Sequence, residues 1–303
     1  MEFQPQLILI YFAPIFAVFI AWEWNFLRTR TAEFSESAQY SLKDTASNVA
    51  LALMHEVGEG LAAILTMAIY YWLFDFRVFD IPNTLWAFVL LFVLQDFCYY
   101  WFHRASHRVR WMWASHVVHH SSEQLNFSTA FRQSVTYPIS GMWVFWVPLV
   151  MLGFEPMTVI SVVLLNLAYQ FFVHTQLSPK FSTLGKIFNT PSHHKVHHSR
   201  NPEYIDMNYA GTLIIWDKMF GTFAEERDEV VCEFGITRQF KSHNPISLSF
   251  HEWKNMFNDM TTRNKTLTQR FKHLWAAPEW QPEQRPKVKV SLQSQPRKST
   301  KIS

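Results

Sequence analysis

The sequence predicts an all-α membrane protein, with about four to five membrane-crossing helices and a cytoplasmic helical cap that holds a histidine-rich site for two metals. Two observations carry this prediction: the chain has five long apolar runs, and most of its 14 histidines cluster near the ends of those runs. Aromatic content is a third, because 17% of the 303 residues are aromatic and 13 are tryptophan. Such residues are enriched where a protein meets lipid headgroups. The mean hydropathy of −0.04 indicates that much of the chain lies outside the bilayer.

Charge and cysteine content argue against other classes of protein. The net charge of +3 is too small to favour a nucleic-acid binder, so no nucleic-acid partner is expected. The two cysteines, Cys98 and Cys232, do not make a disulfide framework. A secreted, oxidised fold is therefore not indicated.

The first apolar run, residues 7–24, is long enough to cross a bilayer. No basic residue precedes it, so it lacks the basic start of a cleavable signal peptide and is predicted to be a retained anchor helix. Arg28 and Arg30 follow the run, which predicts that its carboxyl end faces the cytoplasm.

The second run, residues 48–74, carries His55, Glu56 and Glu59, which are costly in lipid. We therefore expect this part to be interfacial or packed against other helices. The third run, residues 84–102, leads directly into a basic, histidine-containing segment, which again predicts a cytoplasmic end.

The fourth and fifth runs, residues 135–154 and 157–172, are separated by Gly153 and Pro156. This pattern predicts a hairpin that enters the membrane and returns to the same side. The polar, histidine-rich stretch from residue 178 to about 223 is then the predicted cytoplasmic cap.

These runs divide the chain into four parts. We predict an N-terminal anchor helix and linker (1–45) and a membrane domain with the histidine motifs (46–223). A cytoplasmic C-terminal segment (224–281) and a disordered basic tail (282–303) follow, the tail being rich in Pro, Gln, Ser and Lys.

Three histidine motifs, called boxes below, are the main functional signal. The first is HxxxH and the other two are HxxHH; they comprise His103 and His107, then His116, His119 and His120, then His194, His197 and His198. Spacings of three and four place side chains on one helix face, so each box offers two or three converging imidazoles. His174, at the end of the fifth run, is predicted to join them as a ninth ligand.

Nine imidazoles exceed the needs of one ion, so two metals are predicted. Structural zinc usually takes four ligands, often including cysteines, and no cysteine lies near the boxes. Soluble diiron proteins use Glu and Glu-x-x-His pairs, which this sequence replaces with histidine.

Four further residues are candidates for orienting the ligands. Asp96 lies two helical turns before His103, where it could hold an imidazole or make a helix–helix hydrogen bond. His193 adjoins the third box and could support a ligand or face the substrate. Asp206 and Asn208 follow the third box, where an ordinary turn is the alternative interpretation.

The remaining histidines near the carboxyl end are isolated in the sequence. For such residues a surface position is the simpler interpretation, and we expect it for His243, His251 and His273.

The box segments resemble the fatty acid hydroxylase/sterol desaturase superfamily. The resemblance lies in DFCYYWFHRASH (96–107), HVVHHSSEQLNFSTAFRQS (116–134) and a long stretch at 189–223 that begins NTPSHHKVHHSRNPEY. It implies a helical membrane fold with a cytoplasmic cap over two irons, which the eight box histidines would bind. His174 matches an additional ligand position of the family.

The resemblance also implies an activity, namely O2-dependent hydroxylation of a membrane lipid. The likeness is strongest to members that cleave ether lipids with tetrahydrobiopterin. Arg108 follows the first box where those members have an acidic residue, so the electron donor, a pterin or a protein, stays open.

Several alternatives remain open from the sequence. The substrate could instead be a sterol, carotenoid, fatty acyl or sphingolipid chain, and the reaction a hydroxylation or a desaturation. A non-catalytic, metal-containing lipid-binding membrane protein is the alternative from another class. The short chain favours a bacterial inner membrane, with the endoplasmic reticulum as the alternative; the oligomeric state stays open.

Overall fold

The computed structural model describes residues 8–178 and 183–282, and these residues are helical apart from turns and two isolated β-bridges. The α-helices, in chain order, are α1 (Ile8–Arg28), α2 (Leu42–Phe74), α3 (Leu85–Arg108), α4 (Arg110–His120), α5 (Tyr137–Ser140), α6 (Val147–Leu152), α7 (Pro156–Phe171), α8 (Pro191–His197), α9 (Ile215–Phe220), α10 (Pro245–Thr261) and α11 (Leu267–Lys272). The predicted all-α fold class is therefore confirmed.

Helices α1, α2 and α3 correspond to the first three apolar runs. They contain 21, 33 and 24 residues and are long and apolar enough to cross a membrane. Their length and hydropathy are typical of an integral membrane protein. Helix α2 starts before its apolar run because the Ser41 hydroxyl caps it by accepting from the Asp44 amide. Helix α3 continues past its run and includes the first box.

The chain reverses between the fourth and fifth runs, as the hairpin prediction requires, but the fourth run is not one continuous helix. It consists of α5, a 3₁₀ turn (Met142–Trp146) and α6, and the chain then reverses into the 16-residue helix α7. Gly141 and Gly153 account for the interruptions, since both have positive φ angles, 89° and 120°. A side chain at Gly153 would also clash, because its Cβ would lie 1.9 Å from the Phe79 carbonyl oxygen.

The main apolar core lies between α2, α3, α6 and α7. Leu91 of α3, Leu149 of α6 and Val162 of α7 are completely or almost completely buried there. This core places the carboxyl end of α3 beside α4, which starts after a single intervening residue. The two helices that carry the first and second boxes are therefore held together by apolar packing.

Helix α10 lies against α4 on the side away from this core. Arg110 at the start of α4 is 2% exposed and forms ion pairs with Glu252 (2.9 Å) and Asp259 (2.7 Å) of α10. His273 is buried in the same cluster, with its ring nitrogens 3.1 Å from Arg110 Nη1 and 2.8 Å from Lys265 Nζ. The expectation that His273 lies on the surface is therefore wrong, since it is packed between two cations. Residues 283–303, almost all of the predicted tail, lie outside the described residues.

Candidate metal centre

All nine predicted ligand histidines meet in one buried cluster. The carboxyl end of α3, the carboxyl half of α4, the turn that follows α7 and the end of α8 each contribute to it. Helix α8 is short, and its cap is a Thr190 hydroxyl that accepts from the His193 amide, with Pro191 in the first turn. The box spacing keeps the histidines of each helix on one side.

The nine histidines form two groups, within each of which the potential ligand atoms lie within 4.8 Å of one another. Group A contains His103, His107, His116, His120 and His197, and group B contains His119, His174, His194 and His198. The two HxxHH boxes are divided between the groups in opposite ways. In the second box the i and i+4 residues belong to group A and the i+3 residue to group B, whereas the third box reverses this assignment.

The spacing of the ring nitrogens fits metal ligation. In group A, His116 Nε2 lies 3.0 Å from His103 Nε2 and 3.1 Å from His107 Nε2. In group B, His194 Nε2 lies 2.9 Å from His174 Nε2 and 3.0 Å from His198 Nε2. With metal–nitrogen bonds of about 2.1 Å, ligands at right angles would be about 3.0 Å apart and tetrahedral ligands about 3.4 Å apart.

The donor set and an unpartnered nitrogen support the same interpretation. His197 Nε2 is buried and has no hydrogen-bond partner, although a neutral ring nitrogen at this depth normally has one. Imidazole suits iron, zinc and copper, so the residues present fit two first-row transition-metal ions.

Hydrogen bonds from the outer ring nitrogens orient several of these imidazoles. The Nδ1 atoms of four of them face backbone carbonyl oxygens: His103 faces Tyr209 (2.8 Å), His174 faces Gln170 (2.6 Å), His197 faces Met207 (3.0 Å) and His119 faces Arg132 (3.3 Å). A carbonyl oxygen accepts a hydrogen bond from Nδ1–H, which leaves the Nε2 lone pair free for a metal.

Burial keeps these histidines neutral. It lowers the pKa of His174 to about 4, and it lowers the pKa values of the histidines of α4 and α8 well below their usual value, with neighbouring histidines adding to the effect. Neutral imidazole is the form that binds metal, so these seven ligands do not have to lose a proton near pH 7.

Asp96 does not hold a ligand imidazole; of the two interpretations, the helix–helix hydrogen bond is confirmed. Its carboxylate accepts hydrogen bonds from the Thr212 and Leu213 amides (2.8 and 2.9 Å), the Trp216 indole (2.9 Å) and the Asn166 side chain of α7 (2.8 Å). It fixes the chain segment that follows the third box, and that segment supplies the carbonyls beside His103 and His197.

Asp206 and Asn208 occupy a turn beside group A, and both have positive φ angles. Asp206 Oδ1 lies 3.7 Å from His107 Nδ1, and its other oxygen pairs with Arg108 at 2.6 Å. Burial acts to raise the pKa of Asp206, but His107 and Arg108 outweigh it and lower the pKa. Asn208 instead donates to the backbone oxygens of His193 and Ala224, so it braces a turn and holds no ligand ring.

His193 lies outside both groups. Its ring packs against Phe223, with the centroids 5.4 Å apart, and its Nδ1 atom is buried without a hydrogen-bond partner. His193 therefore lies beside group B, next to His194, without belonging to it.

The structure shows one contact to a ligand histidine that the sequence did not predict. The Tyr137 hydroxyl lies 2.6 Å from His116 Nδ1, in place of the backbone carbonyls that face other ligands. Tyr137 is 21 residues from His116 and belongs to a run predicted only as a membrane segment, so no spacing signal connects them.

We expect His193 to make the protein less stable in acid. Burial, together with Lys218, lowers its pKa to about 4, whereas the unfolded chain binds the proton near pH 6.5. Protonation between these values therefore favours unfolding, and the stability falls as the pH drops through this window. Between about pH 7.5 and pH 5, the free energy of unfolding should fall in both proteins. In His193→Gln the fall should be smaller than in the wild type by on the order of 1–2 kcal/mol. Thermal unfolding in detergent at the two pH values measures this, and equal losses in both proteins would contradict it.

A surface pocket borders both groups on one side. His107, His120, His197 and His198 line its floor, and Trp113 forms part of its wall. The rest of the wall comes from loops that follow α8, α9 and α11, including the charged residues Arg200, Asp206 and Glu279. A small polar molecule in this pocket would be adjacent to the ligand imidazoles.

Comparisons with known proteins identify the histidine-bearing part of the chain. Residues 88–222 match the model of the fatty acid hydroxylase family. The chain is 45% identical over 222 residues to alkylglycerol monooxygenase of Homo sapiens, covering 72% of this chain and 48% of that protein. It is 38% identical over 255 residues to alkylglycerol monooxygenase of Danio rerio (82% and 55%). It is 28% identical over 149 residues to an ornithine lipid hydroxylase of Rhizobium tropici (49% and 45%).

The chain spans about half the length of the curated relatives it matches. No solved structure matches it. All three box segments quoted for the sequence resemblance lie, but for one terminal residue, within the matched residues, so that resemblance is confirmed.

Proposed function

Since this chain carries a fatty acid hydroxylase domain at residues 88–222, we propose that it is a membrane-bound, O2-dependent lipid hydroxylase whose two irons are held by groups A and B. One observation carries the proposal. Group A is assembled at the carboxyl end of α3, one of the three helices that are long and apolar enough to cross a membrane. A metal pair there would lie at the membrane boundary, within reach of a lipid chain.

Iron is the metal that we infer from the number and type of ligands. The five imidazoles of group A exceed the four ligands of an ordinary structural zinc site. In both groups the distances between neighbouring Nε2 atoms are closer to those of ligands at right angles than to those of tetrahedral ligands. When bound, two irons would supply the activation of O2 and the removal of hydrogen from a C–H bond. The histidines of groups A and B would hold the irons. The backbone carbonyls beside four of these rings fix the orientation of the rings.

The substrate that we propose is an ether lipid. Support comes from the animal alkylglycerol monooxygenases, which match this chain at higher identity than the ornithine lipid hydroxylase does. O2, two electrons and two protons would convert the carbon beside the ether oxygen to a hemiacetal, with release of water. The hemiacetal then separates into a fatty aldehyde and a glycerol derivative, so the carbon–oxygen bond breaks without a further reagent.

The electron donor would use the pocket beside groups A and B. This pocket has charged walls and lies next to four ligand histidines, which suits a small water-soluble reductant such as tetrahydrobiopterin. An electron-donor protein docking over the same pocket is the alternative. Arg28 at the end of α1 and Arg108 at the end of α3 support a cytoplasmic position for this side, and we favour a bacterial inner membrane.

The proposal predicts aldehyde formation from an ether lipid. The purified protein, supplied with iron, O2 and tetrahydrobiopterin, should consume O2 and release fatty aldehyde from 1-O-hexadecylglycerol. The ester 1-palmitoylglycerol is the matched control, since it has the same chain and headgroup but a carbonyl at the carbon to be hydroxylated, and it should give none. Supplying reduced ferredoxin instead of the pterin distinguishes the two kinds of donor. Without O2 consumption on ether lipids, sterols, fatty acyl lipids or ornithine lipids, the oxygenase proposal fails and a metal-containing lipid-binding role replaces it.

A further inference from the structure

We propose that Glu23, on the first membrane-length helix, is a positioning residue for group B; the proposal rests on the two-metal function proposed above. Glu23 lies far outside the family-matched residues 88–222, so nothing in that match assigns it a role. Its side chain is completely buried, in a helix that is otherwise almost entirely apolar. An ionisable group in such a helix is costly unless it has partners and a function.

The partners of Glu23 come from two distant parts of the chain. Its carboxylate accepts a hydrogen bond from the Phe127 amide (2.8 Å) and short hydrogen bonds from the hydroxyls of Tyr40 and Thr175. Three donors satisfy the carboxylate, which makes its burial tolerable. One of these donors, Thr175, directly follows a group-B ligand, and another, Phe127, starts the short helix that leads to the residues facing a second group-B ligand.

The first connection runs through Thr175 to His174. Thr175 follows this ligand directly and is fixed by Glu23, while His174 Nδ1 donates to the Gln170 carbonyl oxygen 2.6 Å away. The Leu177 amide donates to the Thr175 hydroxyl (3.0 Å), which extends the ordered turn. Without Glu23, the residue directly after His174 loses its attachment to α1.

The second connection runs through Phe127 to His119. Phe127 starts a short 3₁₀ helix that ends next to Arg132 and Gln133. Both face His119 Nδ1, through the Arg132 carbonyl oxygen (3.3 Å) and the Gln133 side-chain nitrogen (3.3 Å). Glu23 therefore fixes the two chain segments that support two of the four group-B ligands.

Other contacts of the N-terminal region act on the same two segments. Phe16 of α1 stacks on Phe171 (4.1 Å between ring centroids), and Phe171 stacks on Phe127 (5.0 Å). In the linker after α1, the Ser37 carbonyl accepts from the Leu125 amide (2.9 Å) and its hydroxyl from Gln176 (3.2 Å). By contrast, the Nδ1 atoms of three group-A rings face Tyr137, Met207 and Tyr209, which lie outside these two segments.

The test is the iron content of Glu23→Ala in the full-length protein in detergent. We expect about two irons per chain in the wild type and about one in the variant, with group B emptied. Electron paramagnetic resonance should then show an isolated ferric ion in place of a coupled pair, a change that loss of general stability would not produce. Glu56→Ala, which removes an exposed carboxylate from α2, is the matched control and should keep both irons. Glu23→Gln keeps one acceptor oxygen and should restore part of the second iron.

Hydrogen exchange of the metal-free protein gives a second, iron-independent measurement. Glu23→Ala should speed amide exchange about tenfold in residues 125–133 and 172–178, which corresponds to about 1.4 kcal/mol of local opening free energy. Residues 103–110 and 207–213 should not change. Tyr40→Phe removes one donor only and should give a smaller effect in the same segments, which covers the case that Glu23→Ala fails to fold.

Two irons in Glu23→Ala with an unchanged spectrum, or exchange that rises equally beside both groups, would overturn the proposal. If the wild type itself binds no iron while exchange rises only in the two segments, the positioning role stands and the iron site of the proposed function is what fails.

Discussion

Replacing His119 and His197 together by alanine is expected to abolish lipid oxidation. Group A would fall from five ligands to four and group B from four to three, so both metals lose a ligand at once. We expect turnover to fall more than about 1,000-fold, equivalent to about 4 kcal/mol of transition-state stabilisation. Elemental analysis should find well under two irons per chain, because the remaining imidazoles cannot reproduce the ligand arrangement.

His243→Ala is the matched control for this variant. His243 is exposed and belongs to neither group, so its loss should leave both iron content and turnover unchanged. Two irons retained by the double variant would show that the boxes are not the ligands. Zinc retained by both proteins in place of iron would contradict the oxygenase proposal itself.

Among the substitutions proposed for this protein, Asp96→Ala is expected to lower the free energy of unfolding the most. Four donors would lose their acceptor in the interior: two amides, one indole and one side-chain amide. Because unsatisfied buried donors cost about 1–3 kcal/mol each and partly relax, we expect a net loss of about 3–5 kcal/mol. Denaturant unfolding in detergent measures it.

Asp80→Ala is the comparison for Asp96→Ala. Asp80 pairs with Arg77 at 2.6 Å, but its side chain is 85% exposed, so its removal should cost less than about 1 kcal/mol. Asp96→Ala should also weaken iron binding about 10- to 100-fold, because the segment it holds supports His103 and His197. Unchanged unfolding together with unchanged iron affinity would contradict the bracing role of Asp96.

The limits of the sequence prediction follow from the distances along the chain. The boxes were recognisable because their ligands are three or four residues apart, and His174 because it ends an apolar run. How the nine histidines divide between two groups depends on how α3, α4, α7 and α8 approach one another, which no local spacing encodes. The partners of Glu23 are 104 and 152 residues away from it in Phe127 and Thr175, so their contacts appear only in the fold.

Local backbone geometry explains why the fourth run is divided into short helices. Its residues are apolar enough for a membrane pass, and hydropathy alone does not register that Gly141 and Gly153 adopt positive φ angles. Asp96 illustrates a different limit, since its position on the face of His103 predicted a polar partner without specifying which one. Two of its four partners are backbone amides more than 110 residues away.

The opposite division of the two HxxHH boxes has a consequence for biosynthesis. When a ribosome has passed His174, group A already has four of its five histidines, whereas group B has two of its four. Four imidazoles are enough for a tetrahedral ion such as zinc, so only group A can capture the wrong metal on the growing chain. The last three histidines are then made within residues 194–198, and they complete both groups almost together. If the two-metal proposal holds, metal selection during synthesis would therefore concern group A, while group B would gain its last two ligands only within residues 194–198.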